Sequence, residues 1–229
     1  MAKFQDYNSA LICFDPECYE YLKTSQNGKI VNSLTGEVAL LERNIILGGL
    51  LGIGAPASVA FTEELIACGI KRFVFLGTAG KLHDKLKAGD RVICEGAFSD
   101  EGTSKSYPGW KEESFSIGNL QNELKTFLRI SSKSVKTVKA WTTDAPYMET
   151  KSKLFYYLDK GADVVEMEAS ALCALAKYRK VEMAQMFIIS DSLARGIWEP
   201  YFEQEILRNS LKEAGISLLQ FLAMVDQKG

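Results

Sequence analysis

The chain has 229 residues, 47% of them hydrophobic, and a formal net charge of −2. That is enough apolar material for one substantial core, and residues 1–229 read as a single domain. The near-neutral charge removes any electrostatic case for nucleic acid or an anionic membrane, and no apolar run approaches the roughly 18 residues of a membrane span. The opening MAKFQDYNSALICF has no basic segment followed by a long apolar one, so no signal peptide is expected. The five cysteines (Cys13, Cys18, Cys68, Cys94 and Cys173) are scattered and odd in number. They read as reduced thiols of a cytoplasmic protein and not as a disulfide framework. His83 is the single histidine and there is no Cys-x-x-Cys. A Ser-His-Asp triad and a zinc site are therefore not expected, nor is any other metal.

In chain order, residues 9–14 read as a strand. Residues 44–51 read as another, running into Gly52-Ile53-Gly54-Ala55-Pro56. Residues 57–68 have helical character, stopped by Gly69. Residues 72–76 form a strand that is expected to end in a second glycine turn, Gly77-Thr78-Ala79-Gly80. Strands follow at 90–95, 135–141 and 181–189, and helices at about 120–129, 151–160, 168–178 and 202–225. The last helix keeps Leu207, Leu211, Ala214, Leu218, Phe221, Leu222 and Val225 on one face. Residues 107–116 are polar, with Pro and Gly, and read as an exposed loop. Alternating strands and helices give an α/β fold with a central sheet.

The chemistry concentrates in residues 164–193. Glu166, Met167 and Glu168 open an apolar helix, and an apolar strand runs into Ser190-Asp191. Carboxylates at strand ends and helix mouths sit where α/β proteins build their sites. The same residues have structural uses: Asp191 as a helix cap, Glu166 or Glu168 as complements to a helix dipole.

Five segments in order (Gly52-Ile53-Gly54-Ala55-Pro56, Glu63-Glu64-Leu65, Gly77-Thr78-Ala79-Gly80, Val165-Glu166-Met167-Glu168-Ala169 and Ser190-Asp191) resemble the nucleoside phosphorylase superfamily of purine nucleoside phosphorylases, uridine phosphorylases and related nucleosidases. The resemblance runs from about residue 11 to the C-terminus. It implies one α/β domain with a twisted, partly barrel-like mixed sheet flanked by helices. It also implies a homo-oligomer, a dimer, trimer or hexamer whose neighbours complete each site.

The resemblance gives residues their roles. Asp191 would protonate or hydrogen-bond N7 of a purine, which a carboxyl group can do if its pKa is raised. Glu168 would accept from the ribose 2′ and 3′ hydroxyls, since a carboxylate only accepts and a diol donates twice. Met167 would pack under the sugar. Thr78, Ala79 and Gly80 would line the base pocket, with Glu166 beside them. Tyr147, in Asp144-Ala145-Pro146-Tyr147, would stack on the nucleoside. The Gln and Arg of the pyrimidine-specific branch are replaced by Met148-Glu149-Thr150-Lys151, which argues against uridine.

The chain departs from the family on the phosphate side. After Phe14-Asp15-Pro16-Glu17, Cys18 stands where phosphorylases carry an Arg, and Phe75 stands at the second Arg position. Gly54, Thr78 and Glu17 remain as candidates on the phosphate or water side. Lys105, Arg195 and Arg43 are further possible sources of charge. Nucleosidases use a Glu near the first strand to activate water; Glu17 and Glu20 are close, and Tyr19 stands nearest that position. The expected function is cleavage of the N-glycosidic bond of a purine nucleoside. Phosphorolysis leads, with phosphate as co-substrate and no other cofactor. Hydrolysis, or nucleoside binding without turnover, is the alternative.

Overall fold

The computed structural model describes residue 4 and residues 6–31, 33–115, 118–130 and 135–227. The strands are β1 (Ser9–Cys13), β2 (Lys29–Val31), β3 (Glu37–Leu40), β4 (Ile45–Gly49), β5 (Arg72–Lys81), β6 (Arg91–Asp100), β7 (Glu113–Phe115), β8 (Lys136–Thr143), β9 (Val164–Glu166), β10 (Glu182–Ser192) and β11 (Glu199–Pro200). The helices are α1 (Pro16–Ser25), α2 (Ala55–Ala67), α3 (Leu120–Ile130), α4 (Lys151–Asp159), α5 (Ala169–Arg179) and α6 (Glu205–Asp226).

All the strands belong to one mixed sheet, ordered β11-β10-β6-β8-β9-β5-β1-β4-β3-β2, with β7 on β6. A further β10–β5 pairing closes β5, β9, β8, β6 and β10 into a five-stranded barrel. Strands β4, β1, β5 and β10 run parallel. Their C-terminal ends therefore lie together, the edge where parallel sheets place ligands.

Side-chain alternation builds the core on both faces of this sheet. Leu11, Val74 and Leu76 pack with α1, α3 and α6 residues such as Leu22, Leu124 and Leu218. Their neighbours Ile12, Phe73 and Phe75 pack with α2 and α5 residues such as Phe61 and Leu172. A third cluster takes Ala79, Val92, Ala140, Val164 and Phe187 from the five barrel strands. The apolar face expected for the last helix is buried throughout, from Leu207 to Val225.

Several elements differ from the expectations. The segment Gly77-Thr78-Ala79-Gly80 is not a turn: β5 runs through it to Lys81. It pairs with Phe187–Asp191 of β10 on one side, and Gly80 pairs with Val165 of β9 on the other. Two ladders hold this glycine-rich stretch extended. The strand expected to stop at 95 continues to Asp100, because β8 pairs along that length. Helix α1 was not expected; it buries only Cys18, Tyr19 and Leu22. Its start is fixed by Asp15, whose Oδ1 accepts the Cys18 N–H at 2.7 Å, and by Pro16 in the first turn. The 107–116 segment is only partly loop, since β7 pairs with β6 and Tyr107 bonds Glu63; Ser116 lies outside the described residues.

Candidate active site

The site assembles where β5, β9 and β10 meet. Strand β10 slips register against β5 between Ile189 and Asp191, so Ser190 is an extra residue and Asp191 lies opposite Gly80. A bulge of this kind re-aims a side chain. It makes Asp191 part of a strand, and its use as a helix cap does not arise. The Asp191 carboxylate is nearly buried. Its Oδ1 accepts the Ser190 hydroxyl at 2.6 Å, and its Oδ2 accepts the Trp198 Nε1–H at 3.0 Å. Burial pushes its pKa up, partly offset by these two donors, which favour the charged form.

On the other side of Gly80, β9 ends at Glu166 and the chain turns into α5 through Met167 and Glu168. The two glutamates divide the work. Glu166 is buried and caps the helix: its Oε2 accepts the N–H groups of Glu168 and Ala169, both at 2.7 Å, and its Oε1 accepts the Thr142 hydroxyl. All of these contacts are to the protein's own groups. Burial, and then the neighbouring Glu168 charge, raise the Glu166 pKa to about 8.

Glu168 occupies the N-cap position without capping. Its carboxylate reaches across to the Gly54 N–H, 2.8 Å from Oε1. Gly54 adopts φ +91 at the start of α2, a conformation that favours glycine. The Met167 methyl lies 3.9 Å from where a Cβ on Gly54 would stand. Gly54, Met167 and Glu168 thus form one wall. The Gly54 donor, expected on the phosphate side, is taken by Glu168. Burial raises the Glu168 pKa as well.

The remaining candidates are dispersed. Thr78 is half-buried on β5, two residues before Gly80 and on the same face. Ala79 points the other way, into the barrel cluster. Tyr147 is fully exposed on a short turn of Pro146–Met148. Glu17 sits on the outside of α1, ion-paired with Lys212 and Arg208 of α6. Glu20 pairs with Lys23, and Tyr19 is buried with its hydroxyl donating to Glu37. Arg195 is exposed near Asp84, and Lys105 lies over the Trp110 ring. Arg43 borders a separate cavity with Asp6 and Asp226. Neither position of the missing arginines offers a cation: Cys18 is a buried thiol at the wall of a small cavity, and Phe75 stacks between Phe14 and Phe73.

Four residues join the site that sequence reading did not single out. Trp198 holds Asp191. Glu149 is pushed up to about 7 by burial and by repulsion from Asp191, which puts a second carboxylate in its vicinity. Arg208 and Lys212 line a cavity with Thr78. Nothing in the sequence marks the first two; the last two read as solvated cations of an amphipathic helix.

A family model described as the phosphorylase superfamily matches residues 10–223. The chain belongs to this superfamily. A guanosine phosphorylase of Halorubrum lacusprofundi is 28% identical over 145 residues, 63% of this chain and 60% of that protein, so the match leaves a large part of that relative uncovered. A purine nucleoside phosphorylase of Toxoplasma gondii, solved with immucillin-H, superposes with TM-score 0.85 at 20% identity, over 99% of this chain and 94% of that one. An AMP nucleosidase of Bacteroides thetaiotaomicron superposes with TM-score 0.80 at 19% identity, over 98% and 92%. The superfamily fold is thus shared with enzymes of both kinds, phosphorylases and nucleosidases. No helix among the described residues is long and apolar enough to cross a membrane.

Proposed function

We propose that this protein cleaves the N-glycosidic bond of a purine nucleoside and passes the sugar to phosphate. The observation that carries the reading is the pair of acids on either side of Gly80. Asp191 is nearly buried, with a raised pKa, and Glu168 projects from a helix mouth. As the C1′–N bond breaks, its electron pair moves to the base and the sugar becomes oxocarbenium-like, as in glycoside hydrolysis. A protonated Asp191 gives its proton to the base as that charge develops. A phosphate oxygen then bonds to C1′, giving free base and ribose 1-phosphate. Glu168 would exchange its Gly54 contact for the sugar hydroxyls, and Met167 would pack beneath them. Thr78 would stand on the phosphate side. Glu166, with its oxygens bonded to α5 and Thr142, would support Glu168 from behind without touching the base. The same reading makes phosphate the co-substrate and the chain a cytoplasmic homo-oligomer; Leu34 and Ile53, 79% and 80% exposed, are apolar residues such an assembly could cover.

Hydrolysis is the second reading. Its support is that Cys18 and Phe75 leave both arginine positions without a cation. The deciding experiment is release of free base from inosine, guanosine, adenosine and uridine, with and without phosphate, with the sugar product identified. Ribose 1-phosphate from a purine nucleoside only when phosphate is present is the expected outcome. Free ribose regardless of phosphate would replace the proposal by a nucleosidase, and nucleoside binding without any product by a binding protein.

A further inference from the structure

With Cys18 and Phe75 buried, a phosphate site in this chain needs cations from elsewhere. A cavity of about 180 Å³ meets Thr78 from the side of α6; Asp15, Glu17, Cys18, Arg208 and Lys212 also line it. We propose that this cavity is the anion subsite, in which Arg208 and Lys212 hold inorganic phosphate against Thr78 and displace Glu17. This rests on the phosphorolytic reading above and supplies its missing donors.

The packing of α6 aims the two cations. Leu207 and Leu211 are buried against the core, which fixes the rotation of the helix about its axis. Arg208 and Lys212 follow them by one residue each, four apart, and so share a face. Both heads converge on one carboxylate from a different element. Glu17 Oε2 lies 3.6 Å from Arg208 Nε, and Glu17 Oε1 lies 3.2 Å from Lys212 Nζ. The cavity wall thus already holds an oxyanion between a guanidinium and an ammonium group. Phosphate offers more oxygens and more charge than a carboxylate, and the guanidinium fork, the ammonium and the Thr78 hydroxyl are donors suited to it.

Release of Glu17 is cheap. Its side chain is 59% exposed on the first turn of α1, and solvent-exposed ion pairs of this kind are weak. Asp15 is committed to capping α1 and stays in the wall as one opposing charge. The position also suits the reaction. Thr78 and Gly80 face the same side of β5, and Gly80 faces Asp191, so an anion at Thr78 is placed on the strand that backs the leaving base.

The test uses inorganic phosphate as the probe, by titration calorimetry and as the varied substrate. Arg208→Gln and Lys212→Gln should each raise the Kd and KM for phosphate about tenfold, the scale of one charge-assisted contact, with the KM for nucleoside little changed. Glu17→Gln should tighten phosphate binding. Lys125→Gln, at a cation of α3 paired with Glu95 of β6, should leave it unaltered. Normal phosphate affinity in both cation variants, each with an unchanged melting temperature, overturns the proposal. If the wild type releases free ribose without phosphate, the phosphorolytic reading fails by itself. Phosphate binding lost in the α6 variants and kept in Lys125→Gln would then still support the subsite.

Discussion

Gly80 and Asp191 face each other across the β5–β10 ladder so closely that a Cβ on Gly80 would lie 2.6 Å from Asp191 Oδ2. The glycine is there for clearance, and Val165 closes the other side at 3.2 Å. Gly80→Ala must therefore push the carboxylate off its Trp198 and Ser190 donors. Turnover should fall by about a hundredfold, the scale of lost general-acid help, with a stability loss of about 1–3 kcal/mol from overpacking. Steady-state kinetics with a thermal melt measure both. A variant with full activity would mean that Asp191 need not stand where β10 holds it.

Asp191→Asn keeps the shape and removes the proton. It should lower turnover on a purine nucleoside by about a hundredfold or more, while nucleoside affinity changes far less. Single-turnover base release separates the two effects. An unchanged rate would take Asp191 out of the chemistry.

Glu166, Glu168 and Asp191 were legible as candidates because acids that follow an apolar strand run are visible in one dimension, whereas Gly80 meets Asp191 only through the β5–β10 ladder. Helix α6 was equally legible from its repeating leucines. The segment at Gly77–Gly80 was misread as a turn because glycine signals breaks locally, while the two flanking ladders that hold it extended come from β9 and β10, far along the chain. Helix α1 and the β2–β3 hairpin were missed because they bury too few side chains to show a period. Trp198 and Glu149 reach Asp191 only through tertiary folding. Arg208 and Lys212 have the pattern of any solvated face until the cavity at Thr78 is seen.

Glu168 accepts the Gly54 N–H, a contact that sugar hydroxyls would replace or share on the proposed reading. Glu168→Gln should weaken nucleoside binding by about tenfold or more, as expected for losing a charged acceptor. Free-base binding should be nearly unaffected. Calorimetry with a nucleoside and its base makes the comparison, and equal losses for both would contradict a role at the ribose.

Glu166 predicts a pH dependence of stability. Its folded pKa of about 8 lies above the ordinary 4.5 because burial, then Glu168, disfavours its charge. Between those values the native state keeps a proton that the unfolded chain has released. Stability should therefore fall as pH rises from about 5 to 8. Glu166→Gln cannot ionise and should flatten that slope in melts taken across the range. An identical slope in the variant would show that the proton is held elsewhere.

Trp198 tunes Asp191 from outside the strand. Its Nε1–H donates to Asp191 Oδ2 and favours the ionised form, so it holds the pKa below the level that burial alone would set. Trp198→Phe keeps an aromatic ring and deletes the donor. The Asp191 pKa should then rise, and an acid that must be protonated stays active to higher pH. The alkaline limb of the kcat/KM profile should accordingly move up, whereas simple loss of packing would lower the whole profile without moving its limb. An alkaline limb left in place while the acid limb moves to higher pH would mean that Asp191 works as an ionised acceptor and not as the acid.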